Sequence, residues 1–243
     1  MIIRDPNEVR EELAAPAAAP AVGGAAGKRD AVLANITASY FFLRRGLAFL
    51  ALAFPFALWA LAGINDSLSA YYHCTGGVCA ARGGGAGRDV LTGVLLATGT
   101  FLFFYKGYTR KEDWALNLAG IAAAAVAFFP SDFARVEGRS LIGKIHFIGG
   151  LVFFLAIAFV CLVCSGDTLK TLKDEAKLRW FKRRYAALGT AMIAVPIGVF
   201  ALHYLLERPG RGYTVLGVEL AGLFVFAAFW LYKSKEIALI ERQ

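Results

Sequence analysis

Six apolar runs constrain this chain more than any other feature: Arg45 to Ile64, Val90 to Tyr105, Trp114 to Phe129, Leu141 to Cys164, Tyr185 to Leu206 and Thr214 to Tyr232. Each is close to the ~20 residues with which an α-helix crosses the hydrocarbon of a bilayer. The composition agrees, since 58% of the 243 residues are hydrophobic and the mean hydropathy is +0.57, well away from soluble averages. The pattern predicts an all-α integral membrane protein with six transmembrane helices.

The net charge of +8 would suit a nucleic-acid partner, but its placement excludes one. Lys28, Arg29, Arg44 and Arg45 precede the first run; Lys106, Arg110 and Lys111 follow the second; Lys170, Lys173, Lys177, Arg179, Lys182, Arg183 and Arg184 follow the fourth; Lys233, Lys235 and Arg242 follow the sixth. Cations gathered in alternate loops follow the positive-inside pattern, which puts both termini in the cytoplasm. The first forty residues lack an apolar core with a small-residue cleavage site, so the first helix reads as an uncleaved anchor. The expected location is a bacterial inner membrane, with the opposite loops facing the periplasm or exterior.

Residues 1–30, rich in alanine, proline and glycine, read as a disordered cytoplasmic tail, and residues 31–243 as the transmembrane domain. Pro55 is expected to kink the first helix. Ala119, Gly120 and Ala122 to Ala125 give the third helix a surface suited to close packing. Cys74 and Cys79, in a non-cytoplasmic loop, are expected to close a small disulfide. The glycine-rich segment after them reads equally as a lid or a spacer. Cys161 and Cys164, on an apolar helix, read as packed thiols. The basic, aromatic segment at 168–185 is expected to lie along the inner surface and hold anionic lipid.

The chemistry-bearing residues collect at the other face. All three histidines, His73, His146 and His203, fall at or beside the outer ends of spans, in a layer with Asp66, Ser69, Asp89, Asp132, Glu207 and Glu219. Polar groups at that depth are costly and often functional. His146 lies about 9 Å along its helix from the outer end, and Glu219 about 8 Å along its own. Glu219 reads as the one acid well inside a span, with Lys144 and Arg139 as candidate partners. Three neutral imidazoles with an open fourth position form a catalytic zinc arrangement that lowers the pKa of bound water to ~7. In that reading Asp89 orients the water and Ser69 steadies an oxyanion.

The segment Ser69-Ala70-Tyr71-Tyr72-His73, an S-x-x-x-H spacing with Asp89 at the start of the next helix, resembles the first half of the signature of the CREST superfamily. That group comprises membrane hydrolases and receptors, among them alkaline ceramidases and progestin and adipoQ receptors. The resemblance covers about 25 residues. It implies that His73 binds zinc with two later histidines, supported by Ser69 and Asp89. The family has seven core helices and a late H-x-x-x-H, whereas this chain shows six runs and reads His203-Tyr204-Leu205-Leu206-Glu207. His146 or Glu207 would take the missing ligand's place.

Three functions follow as expectations. The first is a zinc-dependent hydrolase, with zinc on His73, His146 and His203, that cleaves a lipid amide or ester entering from the outer leaflet. The second is a haem-b electron carrier using His146 and His203. The third is a non-enzymatic packing or lipid-binding subunit. Membrane lipids are the expected partners, and no nucleotide-binding or soluble-hydrolase motif is present.

Overall fold

The computed structural model describes residues 25–73, 85–132, 140–205 and 214–240. Among these every regular element is helical: α1 (Ala25–Ala62), a 3₁₀ turn (Ser69–His73), α2 (Ala86–Phe104), α3 (Arg110–Phe128), α4 (Leu141–Phe159) continued by a π turn (Val160–Cys164), α5 (Ser165–Leu169), α6 (Glu175–Leu205) and α7 (Thr214–Ile240). Among the described residues each of the six apolar runs coincides with a helix to within two residues. Four stretches are long and apolar enough to cross a membrane: Gly27–Ala62, Ala86–Phe104, Leu141–Leu169 and Val215–Ile240. Helix α3 opens on four consecutive charged residues, Arg110 to Asp113, and α6 on a cation-rich half, which leaves less apolar length in each.

The contacts divide the chain into two units, Met1–Phe42 and Leu43–Gln243. The described part of the first is the exposed N-terminal stretch of α1, which begins at Ala25. Residues 25–30, expected in the tail, are therefore helical, as alanine, lysine and arginine favour. Residues 1–24 lie outside the described residues, as do Cys74, Cys79 and most of the glycine-rich loop.

In the second unit, α2 packs on α3, α3 on α4, and α6 on both α4 and α7. The α2–α3 seam is set by two glycines. A Cβ at Gly99 would lie 2.7 Å from the Gly120 carbonyl oxygen, and one at Gly120 would lie 2.5 Å from the Gly99 carbonyl oxygen. The two backbones touch because neither carries a side chain there, which is how helices associate where lipid removes the hydrophobic drive.

Helix α1 runs through Pro55 and stops at Gly63, whose φ of 78° is open to glycine and strained for other residues. Tyr71, fully buried, donates its hydroxyl to the Gly63 carbonyl. Burial pushes its phenol up, so it stays protonated and serves as that donor. Around it Phe54, Leu58, Leu68, Leu91 and Leu216 form an apolar cluster that fixes the 3₁₀ turn against α1, α2 and α7.

Large apolar side chains face outward, including Phe42, Phe49, Phe104, Trp114 and Leu141, while Lys233 and Glu236 are buried. Such an inverted distribution is compatible with an integral membrane protein.

Gly120→Ala should lower stability by about 1–3 kcal/mol, because the new methyl meets backbone that cannot rotate away. Gly150→Ala, where nothing lies within 4 Å, should be neutral or slightly stabilising. Thermal unfolding of the two variants in one detergent checks the pair.

Candidate functional site

The polar layer assembles around Glu219, in the second turn of α7. Its carboxylate faces the turn that precedes the 3₁₀ segment and accepts a dense set of hydrogen bonds. Ser67 Oγ donates at 2.9 Å to both carboxylate oxygens. The Leu68 amide donates to Oε2 at 2.6 Å and the Ser69 amide to Oε1 at 3.1 Å. Ser69 Oγ lies 2.6 Å from Oε1. A carboxylate accepting two backbone amides and two hydroxyls needs no cation, and among the described residues none pairs with it. The expected partner Lys144 makes no such contact, because the serines and amides of residues 67–69 already occupy both oxygens. Arg139 lies outside the described residues.

Ser69 Oγ is also 3.1 Å from His146 Nε2. The other nitrogen of that ring, Nδ1, donates to the Phe129 carbonyl at 2.7 Å, a bond available because α3 ends at Phe128 and leaves the next carbonyl open. Ser69 thus bridges an imidazole on α4 and a carboxylate on α7. One hydroxyl proton faces two acceptors, so the trio is satisfied only when it holds one further proton, on the imidazole or on the carboxyl.

His73 sits on the same structural rim. Its Nε2 is 2.7 Å from the Ser131 carbonyl, two residues beyond the carbonyl that holds His146. Ser131 Oγ in turn donates to the Ser69 carbonyl at 3.5 Å. Asp132 braces the start of α4 by accepting from the Ser140 amide at 2.6 Å and its hydroxyl at 2.9 Å. It lies directly over Gly143, where a side chain would collide with it. The 3₁₀ turn, the residues just beyond the end of α3, and the second turns of α4 and α7 therefore build one site.

Of the residues predicted for the site, Ser69, His146 and Glu219 are in direct contact, and His73 is tied to the same loop. Asp89 is not brought in. It occupies the first turn of α2, is exposed, and lies 3.6 Å from Arg88, with no bond to Ser69, His146 or Glu219. The reason is local, since an acid at a helix start is stabilised by the helix dipole where it stands. The backbone of His203 is in α6, but its side chain and Glu207 lie outside the described residues. Among the described residues no group of three or more His, Cys, Asp and Glu is placed to hold a metal ion. His146 has both nitrogens engaged, so neither faces a metal or a haem iron in this arrangement. Cys161 and Cys164 are buried free thiols, as the reading of packed thiols has it.

A second polar cluster, at the other end of α7, escaped the sequence reading, which treated Lys233 as a cation beyond the last span. Lys233 and Glu236 are 2% and 0% exposed and lie 3.5 Å apart. Lys233 Nζ donates to Thr168 Oγ1 at 2.5 Å, and Tyr185 donates to Glu236 Oε2 at 2.5 Å. Thr168 is reachable because the π turn ends just before it, where Ser165 Oγ donates to the Cys161 carbonyl at 2.5 Å. The available signal was the apolar tail Ile237 to Ile240, which shows that α7 continues past its charges. Glu219 is therefore not the only acid inside a helix of the bundle.

Lys233→Met should cost about 3–5 kcal/mol, because it leaves Glu236 buried without its cation. Adding Glu236→Met should restore more than half of that loss. Urea or thermal unfolding of wild type, single and double variants reads the difference, and a double variant as unstable as the single would contradict the pairing.

The chain matches no family model, no curated protein and no solved structure.

Proposed function

We propose that the chain is an integral membrane protein of six spans with both termini cytoplasmic, and that it hydrolyses a lipid amide or ester at the Ser69–His146–Glu219 site near its outer face. The single observation that carries this reading is the contact between Ser69 Oγ and His146 Nε2, with the Nδ1–H of the ring held by the Phe129 carbonyl. A nucleophile within reach of a base whose tautomer is fixed by a third group is the arrangement that activates a hydroxyl.

In the working state the extra proton of the trio rests on Glu219, whose carboxyl donates to Ser69 Oγ while the serine hydroxyl donates to Nε2. As Oγ attacks the substrate carbonyl, Nε2 takes the hydroxyl proton and later gives it to the leaving amine or alcohol. Water then releases the acyl group from Ser69 with His146 again as base. Ile142, Phe147 and Ile148 on the same helix are exposed, which gives an acyl chain a lateral approach from the bilayer.

The zinc reading fits the geometry less well than this metal-free one, because His146 has no free nitrogen and Asp89 points elsewhere. A bacterial inner membrane, with the site towards the periplasm or exterior, remains our proposal for location. A second reading has an observation of its own in its favour: Glu219, Ser67, Ser69 and His146 satisfy one another within the protein, as a structural fastener of α4 and α7 would. Under that reading the protein is a packing or lipid-binding subunit.

Product release from long-chain amides and esters by purified protein, paired with thermal unfolding, separates the readings. The proposal expects turnover that survives chelation and falls at least about 100-fold in His146→Gln, with Tm little changed. Activity that disappears on chelation and returns with zinc would favour the metal. No turnover on any such lipid, with a large fall in Tm for His146→Gln, would leave only the fastener.

A further inference from the structure

We propose that the face of α6 bearing Arg179, Arg183 and Arg184 binds the phosphate headgroup of an anionic phospholipid, an inference that needs the chain to sit in a membrane but does not depend on the outer site. The sequence marks the whole of 168–185 as basic; the structure singles out one cleft in it. Ala176, Arg179, Trp180, Arg183, Arg184 and Ala187 line a cleft of about 510 Å³. The alanines at its two ends leave the room, and two adjacent i, i+4 rows of α6, Arg179 with Arg183 and Trp180 with Arg184, form its wall.

The charge in this cleft is only partly answered by the protein. Arg179 lies 3.2 Å from Glu175, but Arg183 and Arg184 are exposed and have no carboxylate partner among the described residues. The Arg184 guanidinium stands 5.2 Å from the centre of the Trp180 ring, and Lys235 of α7 stands 5.2 Å from that same ring. Trp180 also meets Tyr232 edge-on at 5.4 Å. Two cations are thereby stationed on an aromatic platform instead of being free to wander.

Guanidinium forks match phosphate oxygens in pairs, so the chemistry recognised is a phosphate ester. Its source is identified by what adjoins the cleft. Trp180 is 37% exposed, and α6 continues beyond Ala187 as an apolar helix, so a molecule seated here has a place for its phosphate at the cations and for its chains along the helix. Tryptophan and tyrosine beside arginine at such a boundary are the side chains that settle at headgroup level.

The test uses full-length protein in phosphatidylcholine nanodiscs titrated with phosphatidylglycerol, with bound lipid counted by native mass spectrometry. Arg183→Gln/Arg184→Gln should weaken phosphatidylglycerol binding about thirty-fold, as two basic groups at a phosphate surface imply. Arg110→Gln/Lys111→Gln removes the same charge from a separate cleft at the start of α3 and should change binding less than about threefold. Equal weakening by both pairs would show diffuse attraction in place of a site. Displacement of the lipid by millimolar inorganic phosphate would show that a free anion is the ligand. Either result overturns the proposal.

Discussion

The end of the bundle where α1 gives way to the 3₁₀ turn is organised by one carboxylate that is satisfied without a counter-ion. Glu219 accepts from two amides and two hydroxyls supplied by the turn at residues 67–69. A charge of this kind placed among helices is costly unless its lone pairs are met by donors of good geometry. That demand fixes the path of the chain after α1. The turn must cross α7 in one register, which sets Tyr71 under Gly63 and presents Ser69 Oγ to His146. The site is thus a consequence of holding one acid, and the elements it joins cannot shift separately.

The two polar clusters divide the molecule's chemistry by their surroundings. At one end the groups are hydroxyls, an imidazole and a carboxyl, which exchange protons at little structural cost because Ser69 can donate either way. At the other, Lys233, Glu236 and Tyr185 are almost wholly enclosed, and a proton lost there would leave a buried charge alone. The first cluster can therefore gain or lose a proton more readily than the second, which is held rigid. The helix that follows the π turn contributes to the second: Ser165 Oγ donates back to the Cys161 carbonyl and Thr168 Oγ1 accepts from Lys233.

Much of the fold was legible because apolar run length is a strong signal: among the described residues each of the six runs coincides with a helix to within two residues. The convergence of Ser69, His146 and Glu219 was legible in part, because alternate helix ends must share a face. Their partners were not. Lys144 looked like the natural mate of Glu219 by charge alone, yet serine hydroxyls and backbone amides, which any loop offers, took its place. Asp89 looked like a site residue from its spacing, and its position in the first turn of α2 gives it a local role instead. Lys233 and Glu236 were overlooked because charges near a chain's end read as a flank. Only the fold shows that Tyr185 and Thr168 close over them.

A double-mutant cycle on unfolding free energy, using Ser69→Ala and Glu219→Gln with the combined variant, tests the central contact most directly. Residues sharing a hydrogen bond should give a coupling of about 0.5–3 kcal/mol, with the double variant much less unstable than the sum of the singles. Strict additivity, within about 0.3–0.5 kcal/mol, would mean that the serine and the carboxylate do not meet, and the site built on their contact would not exist.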